Sequence, residues 1–308
     1  MREKLTIFVK LACQKAGLFL DIRENMLRIA VQSKGRLNEE SLQMLREIGI
    51  DVDDSKRKYL SKAGNFPVEM LYLRDDDIPG VVAGGSASLG IVGLNEVEEK
   101  GYDVKIEEEL GFGACRISLA IPKADEYPGV QYFEGKRIAT SYPGILKKFL
   151  DANGVKANIE IITGSVEVTP AAGIADCIFD IVSSGSTLVA NNLKEVEKVF
   201  FSQAVLISGG NLTPEEQEIL DEIHFRLESA RNSRGKKYIL MNIPEESLEE
   251  AIKILPAMKS PTVLPLAASG WCSLHSVVDT SELWDKVKQL KKIGAEGILV
   301  LNVDKIIL

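Results

Sequence analysis

Cys177-Ile178-Phe179-Asp180-Ile181-Val182-Ser183-Ser184-Gly185-Ser186-Thr187-Leu188 is the stretch on which the reading of this chain turns. An apolar run suited to a buried strand delivers an acid, then four hydroxyls around one glycine, then a helix start. The same grammar recurs on both sides of it. Strand candidates at 27–32, 68–73, 89–92, 117–121, 137–140 and 159–163 are interleaved with helix candidates at 38–48, 144–153 and 166–174. Asn38 is read as the cap of the first helix, whose apolar face is Leu42, Leu45 and Ile48. Strands alternating with helices of this length predict parallel α/β layers. A strand at 202–208 then returns toward the first unit. Thr213-Pro214-Glu215-Glu216 is a capping box with proline at the first helical position, opening a helix to about residue 231.

The charged stretch 231–237 reads as a linker to a further unit. That unit has the order β-α-β-β-α-β, at 238–243, 246–255, 262–267, 272–278, 281–293 and 297–307, which is the ferredoxin-like split motif. Trp284, Val287, Leu290 and Ile293 form the expected apolar stripe of its second helix. It carries no acid–base cluster, which suggests regulation or assembly.

Composition narrows the function classes. A chain of 308 residues predicts about two domains. The net charge of −8 argues against a broad nucleic-acid groove, so an anionic substrate must be met by a local basic pocket. Cys13, Cys115, Cys177 and Cys272 are far apart, which fits free thiols in a reducing compartment. His224 and His275 are the two histidines, too few for a histidine-rich zinc site, and both read as structural. Residues 1–25 start basic and apolar, but Lys10 interrupts the run, so no signal peptide is read there. No stretch approaches the roughly 18 apolar residues of a membrane helix. A cytoplasmic protein is expected, with an organised part from about residue 26 and a preceding extension to which no role is assigned.

Chemistry gathers at the C-terminal ends of strands, where open α/β sheets bind ligands. Gly185 lets backbone N–H groups approach an anion, and Ser183, Ser184, Ser186 and Thr187 add donors. Asp180, beside an anion site, suits ribose hydroxyls or a Mg²⁺ bridging phosphates. Glu167, in Gly164-Ser165-Val166-Glu167, either grips a second hydroxyl or complements a helix N-terminus. Ser33-Lys34-Gly35-Arg36 sets two cations after the first strand, as a polyphosphate site or a solvated turn. Arg74 stands before three aspartates, Arg116 ends a glycine-rich stretch, and Tyr142 offers a face for a purine.

Together LRIAVQSKGRL, LRDDDIPG, FGACRISLA, KRIATSYP, GSVEVTPAAGIADCIFDIVSSGSTL, KSPTVLPLA and GAEGILVL, in order between residues 27 and 308, resemble the long-form ATP phosphoribosyltransferases. The 183–187 loop is similar to the phosphoribosyl-diphosphate loop of the wider phosphoribosyltransferases, with Phe179 where a second adjacent acid often stands. That departure makes Glu167 the partner carboxylate of Asp180.

The resemblance implies a two-lobed catalytic part like a type II periplasmic binding protein. Lobe I is expected at 26–117 plus 201–232, lobe II at 118–200, and a histidine-binding regulatory domain at 233–308. It implies transfer of the phosphoribosyl group of phosphoribosyl diphosphate to N1 of ATP, releasing pyrophosphate, as the first step of histidine biosynthesis. Ser183, Ser184, Gly185, Ser186 and Thr187 would hold the 5-phosphate, and Glu167 and Asp180 the ribose. Lys34, Arg36 and Mg²⁺ would neutralise the diphosphate, the metal being held mainly by substrate phosphates without an assigned protein ligand. Arg74, Arg116 and Tyr142 would meet the nucleotide. Met258, Thr262, Val277 and Gly297 would take feedback-inhibiting histidine, in a homo-oligomer of dimers or hexamers with neither nucleic acid nor membrane as partner. A solute-binding protein or a non-catalytic regulatory subunit of the same fold is the alternative. The first should have an export signal, and the second should have lost Asp180, Glu167 or the loop.

Overall fold

A computed structural model describes residues 26–52, 59–255 and 260–308. In chain order the first strands and helices are β1 (Leu27–Gln32), α1 (Arg36–Glu47), β2 (Leu60–Lys62), β3 (Val68–Leu73), α2 (Ile78–Ala83), β4 (Leu89–Gly93), α3 (Leu94–Lys100) and β5 (Lys105–Glu109). There follow β6 (Cys115–Pro122), β7 (Arg137–Thr140), α4 (Pro143–Ala152), β8 (Asn158–Ile161), β9 (Cys177–Val182), α5 (Ser186–Ala190), β10 (Leu193–Ser202) and β11 (Ala204–Ser208). The last group is α6 (Pro214–Ser233), β12 (Lys236–Pro244), α7 (Leu248–Ile254), β13 (Thr262–Pro265), β14 (Trp271–Asp279), α8 (Leu283–Lys292) and β15 (Glu296–Asn302).

The chain divides into two compact units, the first reaching to Ile219 apart from a three-residue segment, Glu47–Gly49, that belongs to the second. Within the first unit lie two sheets, hence two lobes. Lobe I has the order β2-β3-β1-β4-β11-β5. Its centre is parallel, with β1 between β3 and β4, and β11 joins antiparallel as the strand returning from lobe II. Leu27, Ile29, Ala30 and Val31 are buried because β1 is covered on both faces. Lobe II has the order β10-β6-β9-β7-β8, with β7 parallel to both β8 and β9. Ile117, Leu119, Phe133, Ile138, Leu146 and Phe179 form its core.

Several local expectations change. Helix α1 starts at Arg36, and Asn38 is not its cap: Asn38 Nδ2 donates to the Gln32 carbonyl at 2.6 Å. The helix expected at 166–174 is a single 3₁₀ turn, Val166–Val168. Pro170 has no N–H to continue a helix, and Thr169 Oγ1 donates to the Val166 carbonyl at 2.8 Å, competing for the backbone. Strand β10 was not expected. It is an edge strand carrying Lys194, Glu195, Glu197 and Lys198, a charged composition that suits an edge and hides a strand.

The expected capping box forms, Thr213 N donating to Glu216 Oε2 at 2.9 Å and Glu216 N to Thr213 Oγ1 at 3.2 Å. The stretch 231–237 is not a linker, since α6 runs to Ser233 and β12 begins at Lys236. The second unit has an antiparallel sheet of order β13-β14-β12-β15, the strand order of a ferredoxin-like domain. Its core is Ile239, Met241, Ile243, Leu274, Val278, Leu283 and Leu290. Trp284 is 71% exposed, so the apolar stripe of α8 is led by Leu283 instead. Among the described residues no helix is long and apolar enough to cross a membrane.

Candidate active site

The C-terminal ends of β1, β3, β4 and β9 converge on a cleft of about 320 Å³ between the two lobes of the first unit. One wall belongs to lobe I: Gln32, Gly35, Arg36 and Glu40 around the start of α1, Asp75 after β3, and Asn95 and Glu96 after β4. The facing wall holds Cys115 at the start of β6, with Ile181 and Ser183 at the end of β9.

Ser183 opens the hydroxyl-rich loop. Gly185 has φ +82°, a left-handed conformation that any side chain would strain, and it caps α5. Ser183, Ser184, Ser186 and Thr187 are all exposed. Within the loop Ser184 and Ser186 share a hydroxyl–hydroxyl bond of 3.0 Å. The backbone is held from behind, because Arg116 Nη1 donates to the Ser183 carbonyl at 3.1 Å.

Asp180, two residues before the end of β9, is half-buried and accepts from the Ile181 N–H at 2.8 Å. Burial pushes its pKa up to about 6, the Ile181 bond opposing and the charge of Glu167 adding to the rise. The two carboxylates are therefore within electrostatic reach, as their sequence positions suggested. Glu167 is half-buried in the turn after Ser165, whose φ of +50° is a left-handed outlier for a residue with a side chain.

Arg36 projects from α1 at 73% side-chain exposure and pairs with Glu40 one turn on, Nε to Oε1 at 2.8 Å. Lys34 is exposed on the same turn. Arg74 is exposed beside Asp76, with 3.2 Å between Nε and Oδ1. Asp75 Oδ2 accepts from Gln32 Nε2 at 3.3 Å, tying two strand ends together. Arg116 is held by Glu195, which brings it against the 183–187 loop. Tyr142 does not offer a ring face: it is 8% exposed, packed in the lobe II core, with its hydroxyl donating to Glu96 Oε1 at 3.0 Å. That burial corrects the expectation of stacking on a purine. Burial also pushes the Cys115 thiol up, away from a nucleophilic thiolate.

In the second unit Thr262 stands opposite His275 on the exposed edge strand β13, and Val277 two positions on shares that sheet face. Gly297 is on β15, the opposite edge, three strand spacings or about 14 Å away, so one chain does not close a single pocket around all three. Met258 lies outside the described residues. His275 bonds to Tyr238 Oη at 2.8 Å and Ser273 Oγ at 2.9 Å, a structural pairing.

Gln32, Glu40, Asn95 and Glu96 line the cleft and escaped the sequence reading. Glu96 sits in Leu94-Asn95-Glu96-Val97-Glu98-Glu99-Lys100, which has the composition of a solvated helix. Only the asparagine before the acidic run, at a strand end, offered a signal.

The first unit is thus a two-lobed α/β body in which β9 carries Asp180 and runs into a hydroxyl-rich loop turned by Gly185, with Glu167 within electrostatic reach. Comparison with known proteins is more specific. Residues 74–229 match the family model "HisG: ATP phosphoribosyltransferase", and residues 233–305 match "HisG, C-terminal domain". ATP phosphoribosyltransferases of Phocaeicola vulgatus and Bacteroides fragilis are each 57% identical over 283 residues, covering 92% of this chain and 100% of theirs. A solved ATP phosphoribosyl transferase (HisG:HisZ) complex from Thermotoga maritima is 27% identical with a TM-score of 0.57, over 66% of this chain and 96% of that one. The chain belongs to the ATP phosphoribosyltransferase family, whose members open histidine biosynthesis.

Proposed function

We propose that the cleft between the lobes transfers the phosphoribosyl group of phosphoribosyl diphosphate to N1 of ATP, releasing pyrophosphate. The observation that carries this reading is the hydroxyl-rich loop turned by Gly185, whose first residue, Ser183, lines the same cleft as Arg36. N1 of the purine supplies the attacking electron pair, so the chain needs no activated nucleophile. Its task is electrostatic, on an oxocarbenium-like ribose and a departing diphosphate. Backbone N–H groups and hydroxyls of Ser183, Ser184, Gly185, Ser186 and Thr187 bind the 5-phosphate. Asp180 and Glu167 accept from the ribose hydroxyls and favour the positive charge that builds as the C–O bond lengthens. Lys34 and Arg36 balance the leaving diphosphate, and Arg74 binds the nucleotide phosphates. Arg116 acts from behind the loop.

Mg²⁺ fits this site as a passenger on the phosphates. Among the described residues no three metal-ligating side chains converge, while Glu40 on the cleft wall has a buried oxygen, Oε2, without a partner. A hard cation brought in on substrate phosphates would suit such a wall, with Glu40 as the carboxylate that would help hold it. The metal would supply neutralisation of the leaving group.

Histidine is the inhibitor proposed for the unit at 233–308, acting on a homo-oligomer of dimers or hexamers. A cytoplasmic setting agrees with the free thiols of Cys115, Cys177 and Cys272. The direct test mixes ATP, phosphoribosyl diphosphate and Mg²⁺ with the full chain and follows phosphoribosyl-ATP, with and without histidine. Product formation that histidine suppresses is expected; no product would overturn the assignment.

A further inference from the structure

Lobe I meets lobe II through an acidic helix. α3 carries Glu96, Glu98 and Glu99, and each engages α4 or the residue that caps it. Tyr142, the cap of α4, donates to Glu96 Oε1 at 3.0 Å, and Asn95 Nδ2 donates to the same oxygen at 2.9 Å. Glu99 grips the next residues: Gly144 N donates to Oε1 at 2.8 Å and Ile145 N to Oε2 at 2.9 Å. Lys148 pairs with Glu98. Asn95 is tied in turn to Ser202, where the chain crosses back from lobe II. Its N–H donates to Ser202 Oγ at 3.0 Å, and that hydroxyl donates to Asn95 Oδ1 at 2.8 Å.

The first N–H groups of a helix have no partner inside it. In α4 two of them are satisfied from the other lobe, by one carboxylate using both oxygens. Charge-assisted bonds of this kind are roughly twice as strong as neutral ones and fix geometry. The approach is close: a Cβ on Gly144 would stand 3.1 Å from both Glu99 oxygens.

We propose that Glu96 and Glu99 are positioning residues of the transfer reaction, a clasp between α3 and α4 that fixes the angle at which lobe II presents Asp180 and its loop to the Arg36 wall. This rests on the reading of the cleft as the active site. The mechanical path is short. Tyr142 follows β7, which pairs with β9 through Thr140 and Phe179, and Asp180 is the next residue. Where catalysis depends on orientation, a displacement of about 1 Å can cost roughly a hundredfold in rate.

Glu96 also makes the clasp proton-sensitive. The groups facing it are Asp75 and Asp76 before α2, Lys100 on its own helix, Tyr142 from lobe II and Cys115 at the start of β6. Burial pushes its pKa up to about 7; the Tyr142 bond opposes this and the charge of Asp75 adds to it. The carboxyl accepts most strongly when ionised, so the clasp tightens as pH rises through about 7.

Glu96→Gln keeps an acceptor for Tyr142 but no longer titrates. Glu99→Gln sets an amide against an N–H and loses half of the grip. Steady-state kinetics of the full chain over about pH 5.5 to 9 are expected to show kcat lowered about tenfold in each variant, with KM for phosphoribosyl diphosphate within about twofold. Glu96→Gln should also lose the ionisation near pH 7 from its kcat profile. Should a glutamine variant fail to fold, Tyr142→Phe deletes one hydroxyl and carries the same expectation of lowered kcat. Wild-type kcat and pH profile in the folded variants would overturn the clasp. The site reading fails separately: unimpaired phosphoribosyl diphosphate binding by Gly185→Val would remove the cleft, and the clasp with it.

Discussion

Glu195 holds Arg116 by two charge-assisted hydrogen bonds, Nε to Oε1 at 2.5 Å and Nη2 to Oε2 at 2.6 Å, which leaves Nη1 aimed at the Ser183 carbonyl. The bond from Arg116 holds the Glu195 carboxyl below the usual carboxylate range. The arginine is thus a strut between edge strand β10 and the 183–187 loop. Arg116→Lys keeps the charge and loses the planar fork. Affinity for phosphoribosyl diphosphate should fall about fivefold to tenfold, on the order of 1 kcal/mol, by calorimetric titration. Unchanged affinity would leave the loop standing without its strut.

Gly185→Val is expected to abolish phosphoribosyl diphosphate binding in a protein that still melts cooperatively. Its nearest neighbour, Val182 Cγ1, would be 3.9 Å from an added Cβ, so space is adequate and the obstacle is the φ of +82°. Forcing a β-branched residue there costs on the order of 1–3 kcal/mol or reshapes the loop. Titration with phosphoribosyl diphosphate, alongside a thermal melt, separates lost binding from lost folding.

Asp180→Asn and Glu167→Gln should each lower turnover more than they weaken binding, because their interaction strengthens as charge develops on the ribose. A loss of about 100-fold corresponds to roughly 2.7 kcal/mol of transition-state stabilisation. Full turnover in both variants would remove the acid pair from the reaction.

The pKa of Asp180, raised to about 6 by burial, has two consequences of known sign. The ionised form needed beside a cationic ribose exists above that value, so kcat/KM should fall as pH drops through about 6. For stability the sense is opposite. The folded carboxyl keeps its proton to higher pH than the unfolded one, so its stabilising contribution is full at pH below the ordinary carboxylate range. That contribution is lost as pH rises through about 6. Asp180→Asn should therefore raise the melting temperature relative to wild type at pH 8 and leave it nearly unchanged at pH 4.

Thr262→Val tests the effector assignment, deleting one hydroxyl on β13 at nearly constant shape. Histidine inhibition should weaken severalfold with uninhibited turnover near normal, within the 1–3 kcal/mol typical of coupled sites. Inhibition curves that superimpose on wild type would move the effector site elsewhere.

Local chemistry made much of this protein legible from its residues alone. Strands β1, β3, β7 and β9 fall where their apolar runs fall, because a strand inside a sheet is marked by a short, mainly apolar stretch bounded by turns. The Thr213–Glu216 box and the loop 183–187 were readable because turn and capping chemistry acts over three or four residues. The ferredoxin-like order followed from element succession. What the fold alone decided involves partners distant in sequence. Tyr142 is buried because α3 of lobe I lies against its hydroxyl, 46 positions away. Arg116 serves the loop because Glu195, 79 positions on, claims two of its nitrogens. Glu96 reads as a solvated acid until a second lobe removes its water, and desolvation is a property of packing that no local window contains.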